Sequence, residues 1–343
     1  MFTGTDIDYS FGRLSKNEFY LLSILMMKFI LKIFLVFVIA AITLTLFNKI
    51  YIKGHARYYQ HETQRMGMLT GSTAYYDVLF IGSSRAHVHY DPKVIDSITH
   101  LSSYNFGVEG GNLLETNLWL QVYLQKHPKP KLVVLDLVEF AFDIEKRPFF
   151  NHTIYFPYLK NDIIFRTVTK YKKIGYVKYL PFLELMEVDD YNKFNALKGL
   201  SGRKEEASNG FTYNGYAENG TAILKPSTKI IRDTNNYSIT ETGKKLLSDI
   251  IYTCKNNNIR LVLTYSPEYD YPEQKSKAGF FEFVNTIARN DHLPFFDYRN
   301  LPICKDSTLF ANPGHLNKFG AKLFSVYVAA MILHEIEPNE ALR

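Results

Sequence analysis

From residue 76 onward, short apolar runs alternate with stretches whose apolar positions recur at helical spacing. Residues 77–81 are apolar after Asp77 and end at Gly82-Ser83-Ser84, the pattern of a buried strand closing in a tight turn. Pro92, preceded by Asp91 as a cap, opens a helix over 92–98. A second strand at 101–106 runs into a turn that ends at Gly110-Gly111. Leu113, Leu114, Leu118, Leu120, Val122 and Leu124 then mark a helix over 112–125, which Pro128 and Pro130 stop. The run KLVVLDL at 131–137 is the third strand. Residues 139–236 break the alternation. They are rich in Tyr, Phe, Lys and Asn, carry Pro148, Pro157 and Pro181, and read as an insertion, partly helical at 160–200, folded over the top of the sheet. The alternation resumes with a helix over 240–256 capped by Ser238 or Thr240, a strand at 260–265, a helix at 274–289, a strand at 295–298, an irregular loop at 301–314 and a closing helix at 317–335. Five parallel strands and about five helices predict a doubly wound α/β domain of three α/β/α layers, formed by residues 76–139 and 237–337 around an insertion at 140–236.

Ahead of this domain, residues 29–47 (FILKIFLVFVIAAITLTLF) are long and apolar enough to cross a bilayer, with Lys32 near one end where it can snorkel. The exit reads NKIYIK with no small-x-small cleavage pattern, which favours an uncleaved anchor over its rival, a cleaved signal peptide. Arg13, Lys16 and Lys28 on one side balance Lys49, Lys53 and Arg57 on the other, so charge alone does not orient the span. Residues 1–28 form a cytoplasmic tail unless translation begins at Met26 or Met27, where the sequence resembles a natural start of a signal anchor. On either reading the bulk of the chain is expected on the exocytoplasmic side of the membrane. Residues 48–75 read as a short helix or linker.

Composition narrows the function classes. Of 343 residues, 46% are hydrophobic and 22% charged, which suits a real core. The net charge of +6 is spread without a basic run, so nucleic acid is not an expected partner. The 25 Tyr and 26 Phe exceed what a core of this size needs, which suits a carbohydrate-facing or membrane-proximal surface. Cys254 and Cys304 stand alone, and their pairing is open. His87 and His89 would share a face on a strand, but no cysteine or carboxylate cluster at metal spacing accompanies them, and neither a metal nor a cofactor is expected.

Three turns converge at one end of the expected sheet: Gly82-Ser83-Ser84, the glycine turn at 107–111 and the segment FANPGHLN at 310–317. A serine hydroxyl needs an imidazole to take its proton, and the carbonyl oxygen it attacks needs donors for its developing charge. A serine after the first strand, glycines after the second and a histidine before the last helix supply those parts. The competing reading is that Ser84 and His315 cap helices and the glycines shape turns.

These blocks resemble the SGNH, or GDSL-type, hydrolase superfamily, in particular membrane-anchored exocytoplasmic members with a Gly-Ser-Ser-Arg-Ala first block. The resemblance covers about 76–139 and 238–335. It implies a flavodoxin-like α/β/α fold, Ser84 as nucleophile with its own amide in the oxyanion hole, Gly110 as a second donor and His315 as base. Two positions depart from the family pattern. After the third strand the chain reads Asp136-Leu-Val-Glu139, with no asparagine to donate to the oxyanion. The acid that orients the histidine is replaced by Asn312. In a serine triad of another fold the same exchange costs roughly four orders of magnitude. Glu139, Asp306 and Glu268 are candidate substitute carboxylates, and Arg85 is a candidate anion or ion-pair contact. The resemblance implies a serine esterase or O-acyltransferase acting on acyl esters of a cell-envelope polysaccharide. The contrasting expectation is a catalytically degenerate binding or assembly subunit that partners a multi-span membrane acyltransferase.

Overall fold

A computed structural model describes residues 15–203, 211–225, 237–270 and 277–336. The first part of the expected cytoplasmic tail and the first residues expected of the 274–289 helix lie outside the described residues. Helix α1, Lys16–Tyr58, contains the whole apolar run, and α2, Gln60–Gly71, follows it. The first βα units are β1 Val78–Gly82, α3 Ser84–His89, α4 Pro92–Thr99, β2 Ser103–Asn105, α5 Leu113–Lys126 and β3 Leu132–Asp136. Within the insertion lie α6 Asp162–Tyr171, α7 Asp190–Leu200 and a small antiparallel pair, β4 Phe211–Tyr213 with β5 Tyr216–Ala217. The second half contributes α8 Glu241–Asn256, β6 Arg260–Tyr265, α9 Ala278–Asn290, β7 Phe295–Asp297, a hairpin of β8 Phe310–Asn312 and β9 His315–Leu316, and α10 Lys318–Ile336.

The main sheet has the order β2-β1-β3-β6-β7 with every pairing parallel, the doubly wound α/β arrangement expected. Its central strands are buried on both faces, which is why they read as unbroken apolar runs. Leu79, Ile81, Val133 and Leu135 join one core with α5, α8 and α9. Val78, Phe80, Leu132 and Val134 face the other way and join a second core with α4 and α10. The caps follow the side-chain chemistry expected. Asp91 accepts from the Lys93 amide at 3.0 Å, and Thr240, one of the two candidates, accepts from Gly243 at 3.1 Å. Cys254 and Cys304 are both buried and free.

One expectation is narrowed and another changes. Of the two readings of 48–75, a short helix or a linker, the structure shows helix: the end of α1 together with α2, whose Met66 and Leu69 are buried in the larger core. The insertion does not lie chiefly over the top of the sheet: its α7 and the turn Pro181–Glu187 pack along α1, and α6 packs on α5. The physical cause is α1 itself, whose Tyr51, Gly54 and Tyr58 continue past the apolar run and need a protein face to cover them. Near the site the insertion contributes Phe150 and the segment around β5, where the Asn105 amide donates to the Asn214 carbonyl at 2.8 Å and Leu224 to that of Phe310 at 2.7 Å.

Candidate active site

Ser84 is seated by a backbone bend that only glycine makes easily. Gly82 ends β1 with φ of +144°, and a Cβ there would lie 2.7 Å from the Asp136 carbonyl oxygen and 3.0 Å from the Ala86 Cβ. The chain then turns into α3, with Ser83 as its cap and Ser84 as its first residue. Across the end of the sheet, the β8–β9 hairpin pairs Asn312 with His315. Ser84 Oγ lies 2.9 Å from His315 Nε2, and His315 Nδ1 lies 3.0 Å from Asn312 Oδ1. An amide oxygen can only accept, so Nδ1 carries the imidazole proton and Nε2 is left to accept from the serine hydroxyl. Burial pulls the His315 imidazole below its usual 6.5; Glu109 opposes that shift, Arg85 adds to it and Glu268 opposes it. A neutral imidazole within hydrogen-bond reach of a hydroxyl is the arrangement a general base requires.

The glycine turn after β2 packs against the same corner. The Val108 amide donates to the Gly82 carbonyl at 2.9 Å, and Gly107 lies so close to the backbone of Ala86 and His87 that a Cβ would collide with it. Gly110 has φ of +58° and rests against the Phe150 ring, which a methyl group would strike. Asn105 holds the turn from within: its side-chain oxygen accepts from Gly107 at 2.9 Å, and its amide donates to the carbonyls of Ala86 at 2.7 Å and Tyr90 at 2.9 Å.

His89 has a role that its sequence neighbourhood did not reveal. Residues 84–89 are helical rather than extended, so His87 and His89 point in different directions. His89 Nε2 accepts from the Leu316 amide at 3.0 Å, its Nδ1 lies 3.0 Å from Ser266 Oγ, and Ser266 donates to Asp136 at 2.9 Å. The Leu316 bond fixes His89 with its proton on Nδ1, and burial keeps the ring neutral. The chain Asp136–Ser266–His89 thus grips the backbone next to His315. No spacing rule points to it, because its members are brought together from the ends of β3 and β6 and the end of α3.

The candidate accessory groups are placed elsewhere. Arg85 is buried, bonds the Ser266 carbonyl and hydroxyl, and meets Glu268 at 2.6 Å. Glu268 also meets Lys277 at 2.7 Å, and Lys277 reaches Glu139 at 3.1 Å. Asp306 accepts from the Thr308 amide at 2.9 Å as a turn cap. None of these three carboxylates is hydrogen-bonded to His315 among the described residues; Asn312 holds that position. Burial opposes ionisation of Glu268, but Arg85 and Lys277 outweigh it and hold its carboxyl below the usual 4.5.

Beside the serine corner, His87 Nε2 lies 3.0 Å from His61 Nε2 of α2, and the Glu62 carboxylate is close enough to join a shared centre. Arg65 occupies that carboxylate at 3.2 Å, and after burial its charge is the next cause pushing both imidazoles toward neutrality. The trio matches a neutral N–H···N contact, and a guanidinium beside it disfavours a dication. On its outer side, His87 Nδ1 lies 3.8 Å from Glu109.

Among solved structures, the chain is similar to a protein from Desulfitobacterium hafniense DCB-2 described as a lipolytic protein of the G-D-S-L family, at 13% identity and a TM-score of 0.38. The match covers 74% of this chain and 97% of that one. It is also similar to a protein from Bacteroides fragilis NCTC 9343 described as an acylhydrolase, at 15% identity and a TM-score of 0.38, covering 82% of this chain and 97% of that one. The likeness is structural and remote. No family model matches the chain, and no curated protein matches it.

Proposed function

We propose that the protein is a membrane-anchored serine esterase or O-acyltransferase that acts on acyl esters of a cell-envelope polysaccharide, with its domain on the exocytoplasmic side. The observation that carries the chemistry is the continuous Ser84–His315–Asn312 hydrogen-bond chain at the carboxyl end of β1. In the proposed reaction Ser84 Oγ attacks the ester carbonyl carbon as its proton passes to His315 Nε2, and the carbonyl oxygen takes the negative charge. The Ser84 and Gly110 amides serve as its donors. Collapse of this intermediate expels the alcohol, which takes the proton from His315 and leaves an acyl group on Ser84. Water or a sugar hydroxyl then attacks the acyl-enzyme by the same steps in reverse, giving hydrolysis or transfer. The anchor reading rests on the apolar run of α1, none of whose most apolar window is buried. The glycan reading rests on the resemblance of the sequence blocks and on the aromatic content.

Asn312 supports a second reading. An amide holds the imidazole but does not stabilise imidazolium as a carboxylate does. In this reading the chain is a binding or assembly subunit for a multi-span membrane acyltransferase. A fluorophosphonate probe separates the two: labelling of the wild type and not of Ser84→Ala supports the enzyme. No labelling, together with unchanged surface acylation in Ser84→Ala cells, supports the subunit.

A further inference from the structure

The insertion carries an apolar surface that no chemistry at the serine corner uses. Tyr179, Met186, Tyr191, Phe194 and Leu197 are 74%, 68%, 68%, 57% and 62% exposed, and Leu180 is also exposed. On α7 the buried residues Asn192, Asn195, Ala196 and Gly199 face α1, which places Tyr191, Phe194 and Leu197 on the opposite side. A helix that is buried on one side and apolar on the other has a second face awaiting cover.

The position of this face relative to α1 indicates its occupant. Asn48 follows Phe47, the last residue of the apolar run, and donates to the Pro181 carbonyl at 2.9 Å and to Glu184 at 3.1 Å. The turn that bears Met186 therefore stands where the run ends. Further along, Gly54 and Gly199 bring α1 and α7 into backbone contact, and a methyl on either would collide with its neighbour. Gly54 lies about 10 Å beyond Phe47 along the helix, while the headgroup zone is roughly 5–7 Å deep on each side of the hydrocarbon. Lys49 and Lys53 are exposed one turn apart on α1 just beyond Phe47, within reach of lipid phosphates, with Arg57 exposed a further turn out.

We propose that the turn Pro181–Glu187 and the outer face of α7 form a seat in the lipid interface, with Tyr179 and Met186 at the headgroup and acyl boundary and Phe194 and Leu197 reaching down into the headgroup zone from the outer level of α7. The occupant is the bilayer that holds α1, so the inference rests on the anchor reading. The seat fixes the domain against the membrane instead of leaving it on a free stalk, and it holds the serine corner at a set height above the lipid.

The test uses the full-length chain in liposomes of phosphatidylcholine brominated near the headgroup end of its acyl chains. The sole native tryptophan, Trp119, is 1% exposed and serves as a quiet background. Met186→Trp and Phe194→Trp report the seat, Tyr252→Trp on α8 is an exposed control, and Leu46→Trp, at the end of the apolar run nearest the domain, reports the anchor. The expected result is strong quenching at 46 and, at 186 and 194, quenching several-fold above that at 252. Quenching at 46 with 186 and 194 equal to 252 overturns the seat and leaves the anchor intact. No quenching at 46 overturns both. A concentration-dependent blue shift at 194 without quenching also overturns the seat and assigns the face to a second copy of the chain.

Discussion

Two clusters at the carboxyl end of the sheet differ in how they treat charge. In the serine corner, Ser84, His315 and Asn312 form a chain of neutral groups within 3.0 Å of one another. In the neighbouring cluster, Arg85 and Lys277 are matched with Glu268 and Glu139 in contacts of 2.6 to 3.1 Å, with the Arg85 guanidinium 4.2 Å over the Tyr265 ring. Two of the candidate acids, Glu268 and Glu139, are held by cations: Arg85 fastens α3 to the loop after β6, and Lys277 ties that loop to the segment after β3. The comparison shows that a carboxylate's presence near a site says little until its partners are known. It also shows that the protein places ionic strength in the scaffold and leaves the reactive pair with an amide.

The largest effect expected is on chemistry. Ser84→Ala lowers esterase turnover by about four orders of magnitude or more, measured with a p-nitrophenyl ester on a variant that melts as the wild type does. In the second cluster, Arg85→Met leaves Glu268 buried without its arginine and costs about 3–5 kcal/mol in denaturant unfolding. The double variant Arg85→Met/Glu268→Met regains part of that loss, and equal losses in the single and double variants would break the pairing argument. Asn312→Asp moves charge from the second kind of cluster into the first. It raises kcat by ~10-fold or more, because a carboxylate stabilises the imidazolium that forms as Ser84 attacks. A rate unchanged or lowered, with the fold intact, would show that the corner is adapted to its amide.

pH sharpens the contrast further. Burial holds the His315 pKa below 6.5, so the base stays neutral and kcat/KM stays high as pH falls to 6.5, with its acid limb centred lower. Asn312→Asp moves that limb upward. The folded-state pKa of Glu268 lies below 4.5, so its contribution to stability is present above that value and is lost as pH falls through the lowered pKa. Urea midpoints measured from pH 6 downward should fall less steeply in Glu268→Gln than in the wild type.

Much of this was legible in the sequence for physical reasons. Strands buried on both faces give unbroken apolar runs, so β1, β3 and β6 fell within about a residue of their expected limits. Ser84 and His315 were legible because each sits at a junction of elements that glycines and caps announce. What stayed hidden depends on contacts distant in sequence. Helix α2 looks polar, yet Arg65 is fully buried, with its two terminal nitrogens taken by the Gly107 carbonyl and Glu62. Arg85 meets Glu268 across 183 residues, and His89 reaches Leu316 across 227, so no local pattern assigns either pair. The insertion lies elsewhere than expected for a similar reason. Its partner is the end of α1, Tyr51, Gly54 and Tyr58, in a stretch whose sequence reads as a short helix or linker and shows no face to be covered.

The central claim is that Ser84 is a nucleophile served by His315. Peptide mass mapping of the full-length chain after incubation with p-nitrophenyl acetate tests it directly. The account predicts an acetyl ester on Ser84 in the wild type and none in His315→Ala. An unmodified Ser84 in the folded wild type, or equal acetylation in His315→Ala, would contradict it.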